Sequence, residues 1–396
     1  MDIQKMIDEI YPELVAIRRD LHQHPELSEQ EVRTSKVICK YLKENKIDYK
    51  SGYAIHGVVG LIQGNEPGKT VAIRADMDAL PIQEVREIPY RSIHNGVMHA
   101  CGHDVHTTIL LGTAKILQNM RSQLQGNVKL LFQPAEETVG GAERMIKEGC
   151  MENPKVDYTV GLHVHSGLEC GKISIKHGQV NAASGDVRIK VIGKAGHGAH
   201  PEEAVDAILI ASQIVIALQT IVSRSISAMD AIVLTIGKIH GGNKTNIIAD
   251  TVELEGTLRA LDTKLREQVK EHIIRIAQST AMAYGGRAEV TFEDSYIALV
   301  NCDEVVDVAM LAAIETVGKE NVITNEPPSL GAEDFAYFCE ASKGAFYSIG
   351  VANVEKGITA SIHNEFFDVD EECIKIGIEM HLRTVMRLLD SDRKVL

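Results

Sequence analysis

Between His94 and Thr108 the chain reads HNGVMHACGHDVHTT, a run that holds four imidazoles and one thiol. Thiolate and neutral imidazole both bind zinc and other first-row divalent ions, so Cys101 and His103 could meet one ion, or two side by side. An isolated Cys-x-His pair is more often a buried cysteine beside a solvent histidine, and donors elsewhere must decide. Asp76 and Asp78, the adjacent Glu136 and Glu137, His163 and His363 supply them. Together these residues are too rich a set of ligand types at segment ends to be incidental, and a metal centre is the expectation. His99 and His106 flank the set and would orient ligands rather than bind. His165, His177, His240 and His381 are assigned no role.

Elements must bring these donors together. Leu14, Ile17 and Leu21 recur at helical spacing from Pro12 until His24-Pro25 breaks the run. Ser28-x-x-Glu31 has capping-box spacing and opens a second helix, whose apolar face of Val37, Ile38, Tyr41 and Leu42 runs to Asn45. Residues 58–62 and 70–74 read as strands joined by an Asn-Glu-Pro-Gly turn, the signal of a hairpin. Apolar runs at 128–132 and 158–162 end in Glu136-Glu137 and His163. Extended backbone up to Gly102 would put Cys101 and His103 on one side, and Asp104 begins a helical run through Ile109, Leu110, Ala114 and Leu117. Strands alternating with helices indicate an α/β sheet, with polar residues gathered past the strand carboxyl ends where such sheets place their sites.

After about Asn181 the pattern changes. Strands at 187–192, 232–239, 251–259 and 288–292 and helices at 202–222 and 262–284 give the order βαββαβ, a complete ferredoxin-like unit inserted in the chain. Asp262 caps the second helix and Gly285-Gly286 stops it. The first is apolar enough to resemble a membrane span, but Asp206, Ser212, Gln213, Gln219 and Thr220 interrupt it, and it reads as a heavily buried helix. Past Ser295 the α/β character returns and ends in a helix at 371–389.

A length of 396 residues exceeds what one core usually serves, so two domains are expected. With 41 basic against 55 acidic side chains the net charge is −14, which disfavours nucleic acid and anionic membranes as partners. The start, MDIQKMIDEIYPEL, has no basic region followed by an apolar core, and a cytoplasmic protein is expected. Seven scattered cysteines, none in a C-x-x-C pair, argue against a disulfide frame or a zinc ribbon.

The motifs RADMDALP (74–81), HACGHDVHT (99–107), QPAEE (133–137), GLHV (161–164), GKAGHGAHPE (193–202) and LGAEDFAYF (330–338), followed by His363, resemble the M20 metallopeptidase family. The match is nearest to its amidohydrolase branch of N-acyl-amino-acid amidohydrolases, hippurate hydrolases and auxin-conjugate hydrolases. The resemblance covers nearly the whole chain. It implies a two-metal, aminopeptidase-like catalytic domain at 1–184 and 296–396, interrupted at 185–295 by a ferredoxin-like lid that dimerises. It also implies two divalent ions, zinc, manganese, cobalt or nickel. Cys101 would be shared between them, with Glu137 and His363 completing one and His103 and His163 the other. Glu136 would be the general base, Asp78 another catalytic residue, and His197 an oxyanion donor delivered across a homodimer. Asn246 and Arg259 would hold the free carboxylate of the substrate, for which a planar guanidinium is suited. The wider family opens its site with His-x-Asp and bridges with Asp, where this chain has Asp76-x-Asp78 and Cys101. A thiolate bridge is softer than a carboxylate, which suits zinc where manganese prefers oxygen.

The activity implied is hydrolysis of a small N-acyl amino acid to a carboxylate and a free amino acid. Alternatives on the same scaffold are a dipeptidase or carboxypeptidase and an N-acetyl-diaminopimelate deacetylase. Independently of the family, neighbours in extended backbone point oppositely, so Glu136 and Glu137 divide naturally into base and ligand. A cysteine hydrolase built on Cys101 and His103 is disfavoured, since two residues in one extended loop do not easily form a nucleophile and base pair. A binding protein without catalysis would have no need of Glu136.

Overall fold

The structure, a computed structural model, describes residues 3–390. The chain forms two compact units with separate cores. The first holds the residues up to Gly178, Val300–Pro327 and those from Asp334 onward, and the second holds Gln179–Leu299 and Pro328–Glu333. The division thus falls at 178/179 and 299/300 where the sequence suggested 184/185 and 295/296, and a short return segment joins the second unit.

Unit 1 is a mixed α/β layer. Helix α1 (Ile3–Gln23) packs on α3 (His103–Asn119), while α2 (Val32–Glu44) leads into strands β1 (Asp48–Tyr53) and β2 (Gly57–Gln63). With β3 (Glu66–Asp76), β4 (Gln125–Gln133), β5 (Tyr158–Glu169) and the later strand Lys343–Ala352 they form most of an eight-stranded sheet, in the order β1-β2-β4-β3-β5 and then Lys343–Ala352. From β4 to Lys343–Ala352 the neighbours are parallel, and every residue of β3 from Thr70 to Asp76 is buried, as expected for a sheet covered on both faces.

Several local expectations are corrected here. The runs at 58–62 and 70–74 are strands but not a hairpin, because β4 lies between them, antiparallel to β2 and parallel to β3; the hairpin is β1 with β2. Helix α1 begins at Ile3, with Pro12 inside it. Burial of Ile7, Leu14, Arg18 and Leu21 along one face carries the helix through the missing N–H. Ser28 and Glu31 make no capping box: α2 has no side-chain cap bond, and both side chains turn toward the centre described below.

Unit 2 carries β6 (Ala183–Ile192), α4 (Ala207–Thr220), β7 (Ile232–Gly241), β8 (Thr251–Ala260), α5 (Thr263–Ala283) and β9 (Arg287–Asp294). The strands form one antiparallel sheet in the order β7-β8-β6-β9. Val187, Ile189 and Val191 alternate inward from β6 and pack with Ile210 and Ile214 of α4 and Val269 and Ile273 of α5. Asp206 caps α4 by accepting from the N–H groups of Ile208 and Leu209, so the helix starts later than Glu202. It is also less buried than its composition suggested. Ile208, Leu209 and Ile216 are 44%, 48% and 64% exposed on the side away from the core.

Candidate metal centre

Register explains how distant residues meet. Asp76 pairs with Gln133 across β3 and β4, and Arg74 pairs with Gly161 across β3 and β5. His163, two residues beyond Gly161, is therefore level with Asp76 although it lies inside β5 rather than past its end. Glu136 and Glu137 follow β4 in a turn, not in extended backbone, so the alternation argument for their separate roles does not apply. Nor does it apply to Cys101 and His103. Gly102 between them is left-handed, with φ of 83°, and His103 is the first residue of α3. A Cβ at Gly102 would stand 2.5 Å from Val164 Cγ2, so only glycine lets the loop pass β5 this closely. Ala135 and His363 are also left-handed, with φ of 59° and 60°, and such non-glycine strain gathers at functional sites.

Two groups of donors result. Cys101, His103 and His163 offer ligand atoms within 4.8 Å of one another, as do Cys101, Glu137 and His363. Cys101 belongs to both. Its Sγ is 3.4 Å from His163 Nε2 and 3.3 Å from His363 Nε2. His363 Nε2 is 3.3 Å from Glu137 Oε1, and His103 Nε2 is 3.8 Å from the same oxygen. The His363 side chain is 49% exposed, so the centre opens to solvent on that side.

The imidazoles are oriented by their other nitrogens. His163 Nδ1 donates to the Val164 carbonyl at 2.7 Å, and His103 Nδ1 faces Asp78 Oδ1 at 3.1 Å. Both partners can only accept, so in the neutral ring each Nε2 would carry its lone pair toward Cys101 and Glu137. Asp78 Oδ2 accepts from Ser28 Oγ at 2.7 Å and from the Glu137 N–H at 3.0 Å. Asp76, counted at first among the donors, is engaged elsewhere: Arg74 Nη1 reaches its Oδ2 at 2.6 Å and His106 Nδ1 its Oδ1 at 2.5 Å. His106 Nε2 in turn accepts from the Val164 N–H at 2.9 Å, so both of its nitrogens are used. Arg74 is fixed by Gln133 and Asp334, the latter 260 residues away in sequence.

Buried polar atoms are normally paired, yet His103 Nε2 and Glu137 Oε1 are buried and make no hydrogen bond. These unpaired atoms converge with a thiol and two further imidazoles, and the donor set fits two divalent ions. The field agrees. Burial pushes His103 down, but Asp76, Asp78 and Glu137 outweigh it and raise the imidazole to about 10, so the pocket favours positive charge. Burial, joined by the neighbouring His103 charge, takes His163 down to about 4 against the opposing pull of Asp76, leaving it neutral as a ligand must be. Burial, then the carboxylates of Glu137, Glu136 and Asp76, hold the Cys101 thiol well above its usual range. That field opposes a free thiolate nucleophile and weakens the cysteine-hydrolase reading.

The remaining candidates lie in unit 2. His197 sits on the two-residue strand Gly196–His197, paired with Ile247–Ile248, and the Gly198 N–H bonds the Asn246 carbonyl at 2.9 Å. His197 and Asn246, far apart in sequence, thus share one small exposed ribbon. Arg259, on β8, donates from Nη1 to the Leu330 carbonyl at 2.8 Å. Sequence reasoning missed Ser28, Glu31 and Asp334 as supports. For the first two the signal was present but read as a helix cap.

The sequence profile of Peptidase family M20/M25/M40 matches residues 72–387. Thermostable carboxypeptidase 2 of Saccharolobus solfataricus is 41% identical over 381 residues, 95% of either chain. N-acetyl-L-cysteine deacetylase of Bacillus subtilis is 38% identical over 382 residues, covering 96% of this chain and 89% of the relative. Among solved structures, a Bacillus subtilis dinuclear metal binding peptidase from the M20 family superposes with a TM-score of 0.84 at 33% identity, over 97% of this chain and 99% of that one.

Proposed function

Because the chain belongs to Peptidase family M20/M25/M40 and is a metal-dependent hydrolase of amide or peptide bonds, we propose that its substrates are N-acyl amino acids, cleaved to a carboxylate and a free amino acid. The observation that carries the site assignment is the membership of Cys101 in both donor groups, beside the unpaired His103 Nε2 and Glu137 Oε1. In this reading Cys101 is shared, Glu137 and His363 complete one ion's ligands, and His103 and His163 complete the other's. The ions would supply Lewis-acid polarisation and water activation. Zinc suits the shared thiolate best, with manganese, cobalt and nickel as competitors.

Glu136 takes the proton from the attacking water and returns it to the leaving amine. It is 92% buried and belongs to neither group that contains Cys101, while its carboxylate lies within 4.8 Å of ligand atoms of both His103 and Glu137, beside the proposed ions. Asp78 acts as a positioning residue, since its oxygens are occupied by His103, Ser28 and the Glu137 amide. His197 donates to the developing oxyanion: its Nδ1 accepts from the Ala199 N–H at 3.1 Å, so the neutral ring carries its proton on exposed Nε2. We assign it to the site of the partner in a homodimer, with unit 2 as a ferredoxin-like lid and the apolar side of α4 as part of the contact. Asn246 and Arg259 hold the substrate carboxylate.

The carboxypeptidase relative favours one second reading, cleavage of a C-terminal residue from a peptide. A panel of N-acetyl, N-benzoyl and N-indoleacetyl amino acids beside dipeptides and blocked peptides, assayed after loading with zinc, manganese, cobalt or nickel, separates the two. N-acyl amino acids are expected to give the highest kcat/KM. A clear preference for peptides would overturn the proposal. In the same assay His197→Ala is expected to lower kcat with KM and metal content unchanged, and loss of metal would remove it from the oxyanion role.

A further inference from the structure

Glu136 stands between two backbone amides, each held by a buried carboxylate. Behind it, the Glu137 N–H donates to Asp78 Oδ2, which also accepts from Ser28 Oγ. Ahead of it, the Ala135 N–H donates to Glu31 Oε1 at 2.8 Å. Both Ser28 and Glu31 come from the connection between α1 and α2, more than 100 residues earlier in the chain.

Ala135 is fully buried and left-handed, a conformation that costs any residue with a Cβ and persists only where its surroundings hold it. Its carbonyl accepts from the Gly140 N–H at 3.0 Å and closes the turn that carries Glu136 and Glu137. Its N–H, away from water, needs an acceptor, and Glu31 provides one. Glu31 precedes α2 but bonds none of that helix's first amides, so helix capping does not account for its burial. Its second oxygen, Oε2, is buried with no hydrogen bond. Burial, then Asp78, pushes its acid up to about 7, a cost that a side chain serving only to fill space would not carry.

We propose that Glu31 is a positioning residue for Glu136: its buried carboxylate fixes the left-handed Ala135 backbone and thereby the direction in which the base projects. This rests on the reading of Glu136 as the general base. A proton-transfer group displaced by about 1 Å can lose about 100-fold in rate while substrate binding is kept.

The test compares Glu31→Ala, Glu31→Gln and Glu31→Ala combined with Ala135→Gly. Four quantities are read: kcat, KM, metal content by elemental analysis, and amide hydrogen exchange at Ala135 in metal-free protein. Glu31→Ala is expected to lower kcat by about 10- to 100-fold, to deprotect the Ala135 amide, and to leave KM and metal content near wild type. Glu31→Gln keeps an acceptor oxygen and restores most of the rate, and the double variant recovers part of it because glycine takes positive φ without strain. If Glu31→Ala does not fold, Glu31→Asp replaces it, retaining the charge but falling one methylene short of Ala135. Wild-type kcat in the shortened variant, or loss of metal in step with loss of rate, overturns the proposal. A Glu136→Gln control separates the two levels: turnover in that variant removes the base assignment itself, whereas an inactive Glu136→Gln beside a fully active Glu31 variant removes only the role of Glu31.

Discussion

Glu136 and Glu137 are neighbours in one turn, yet Glu137 meets Cys101 and His363 while Glu136 stays outside both Cys101 groups. Replacing Glu136 by Gln keeps the volume and removes the basic lone pair. The expected result is a fall in kcat of about 10² to 10⁴ with metal content unchanged, read by steady-state kinetics and elemental analysis. Loss of metal would mean that the two glutamates have exchanged roles. At this scale the donors were legible because few residue types bind such ions, and Cys101, His103, Glu137, His163 and His363 do converge. Their supports were not. Asp76 resembles a ligand in sequence, and only the fold reveals Arg74 and His106 on its two oxygens. Ser28-x-x-Glu31 satisfies a capping pattern as well as it satisfies the site, and spacing alone does not distinguish them.

Helix α3 delivers His103 at its first residue, and the next residue, Asp104, anchors the helix start to α1. Arg18 Nε meets Asp104 Oδ2 at 2.9 Å and His22 Nδ1 meets the same oxygen at 2.8 Å, with all three side chains buried. Burial would raise Asp104, but Arg18 and His22 hold it far below the usual carboxylate range. Asp104→Asn leaves the Arg18 charge with only Asp368 and Glu371, and is expected to cost about 3 kcal/mol in urea unfolding at pH 7. The sign of the pH dependence follows from the depressed carboxyl. Its contribution is present above the unfolded value of about 3.9 and is lost as pH falls through the folded one, so the gap between wild type and variant should narrow on acidification. A gap that widened in acid would contradict this pairing. Elements were legible where one periodicity ran long, as in α3 and α5. Pairing was not, because β4 enters between β2 and β3 from about 50 residues further along the chain, and no local signal marks that.

At the scale of the whole molecule, the change of pattern near Asn181 marked a second unit, since a one-sided antiparallel sheet alternates where the buried strands of unit 1 do not. The exposure of Ile208, Leu209 and Ile216 on α4 was not legible, because composition gives apolarity without saying which side meets the core. The proposed centre holds two ions around one thiol, and the proposed roles of Glu136, Glu137 and the three histidines depend on it. It is tested most directly by the metal stoichiometry of Cys101→Ala after loading and desalting, measured by elemental analysis against wild type. The wild type is expected to hold two ions per chain and the variant to lose both together, since each loses a shared ligand. A variant that still binds two ions, or loses only one while the other stays as tight as in wild type, would contradict a shared Cys101.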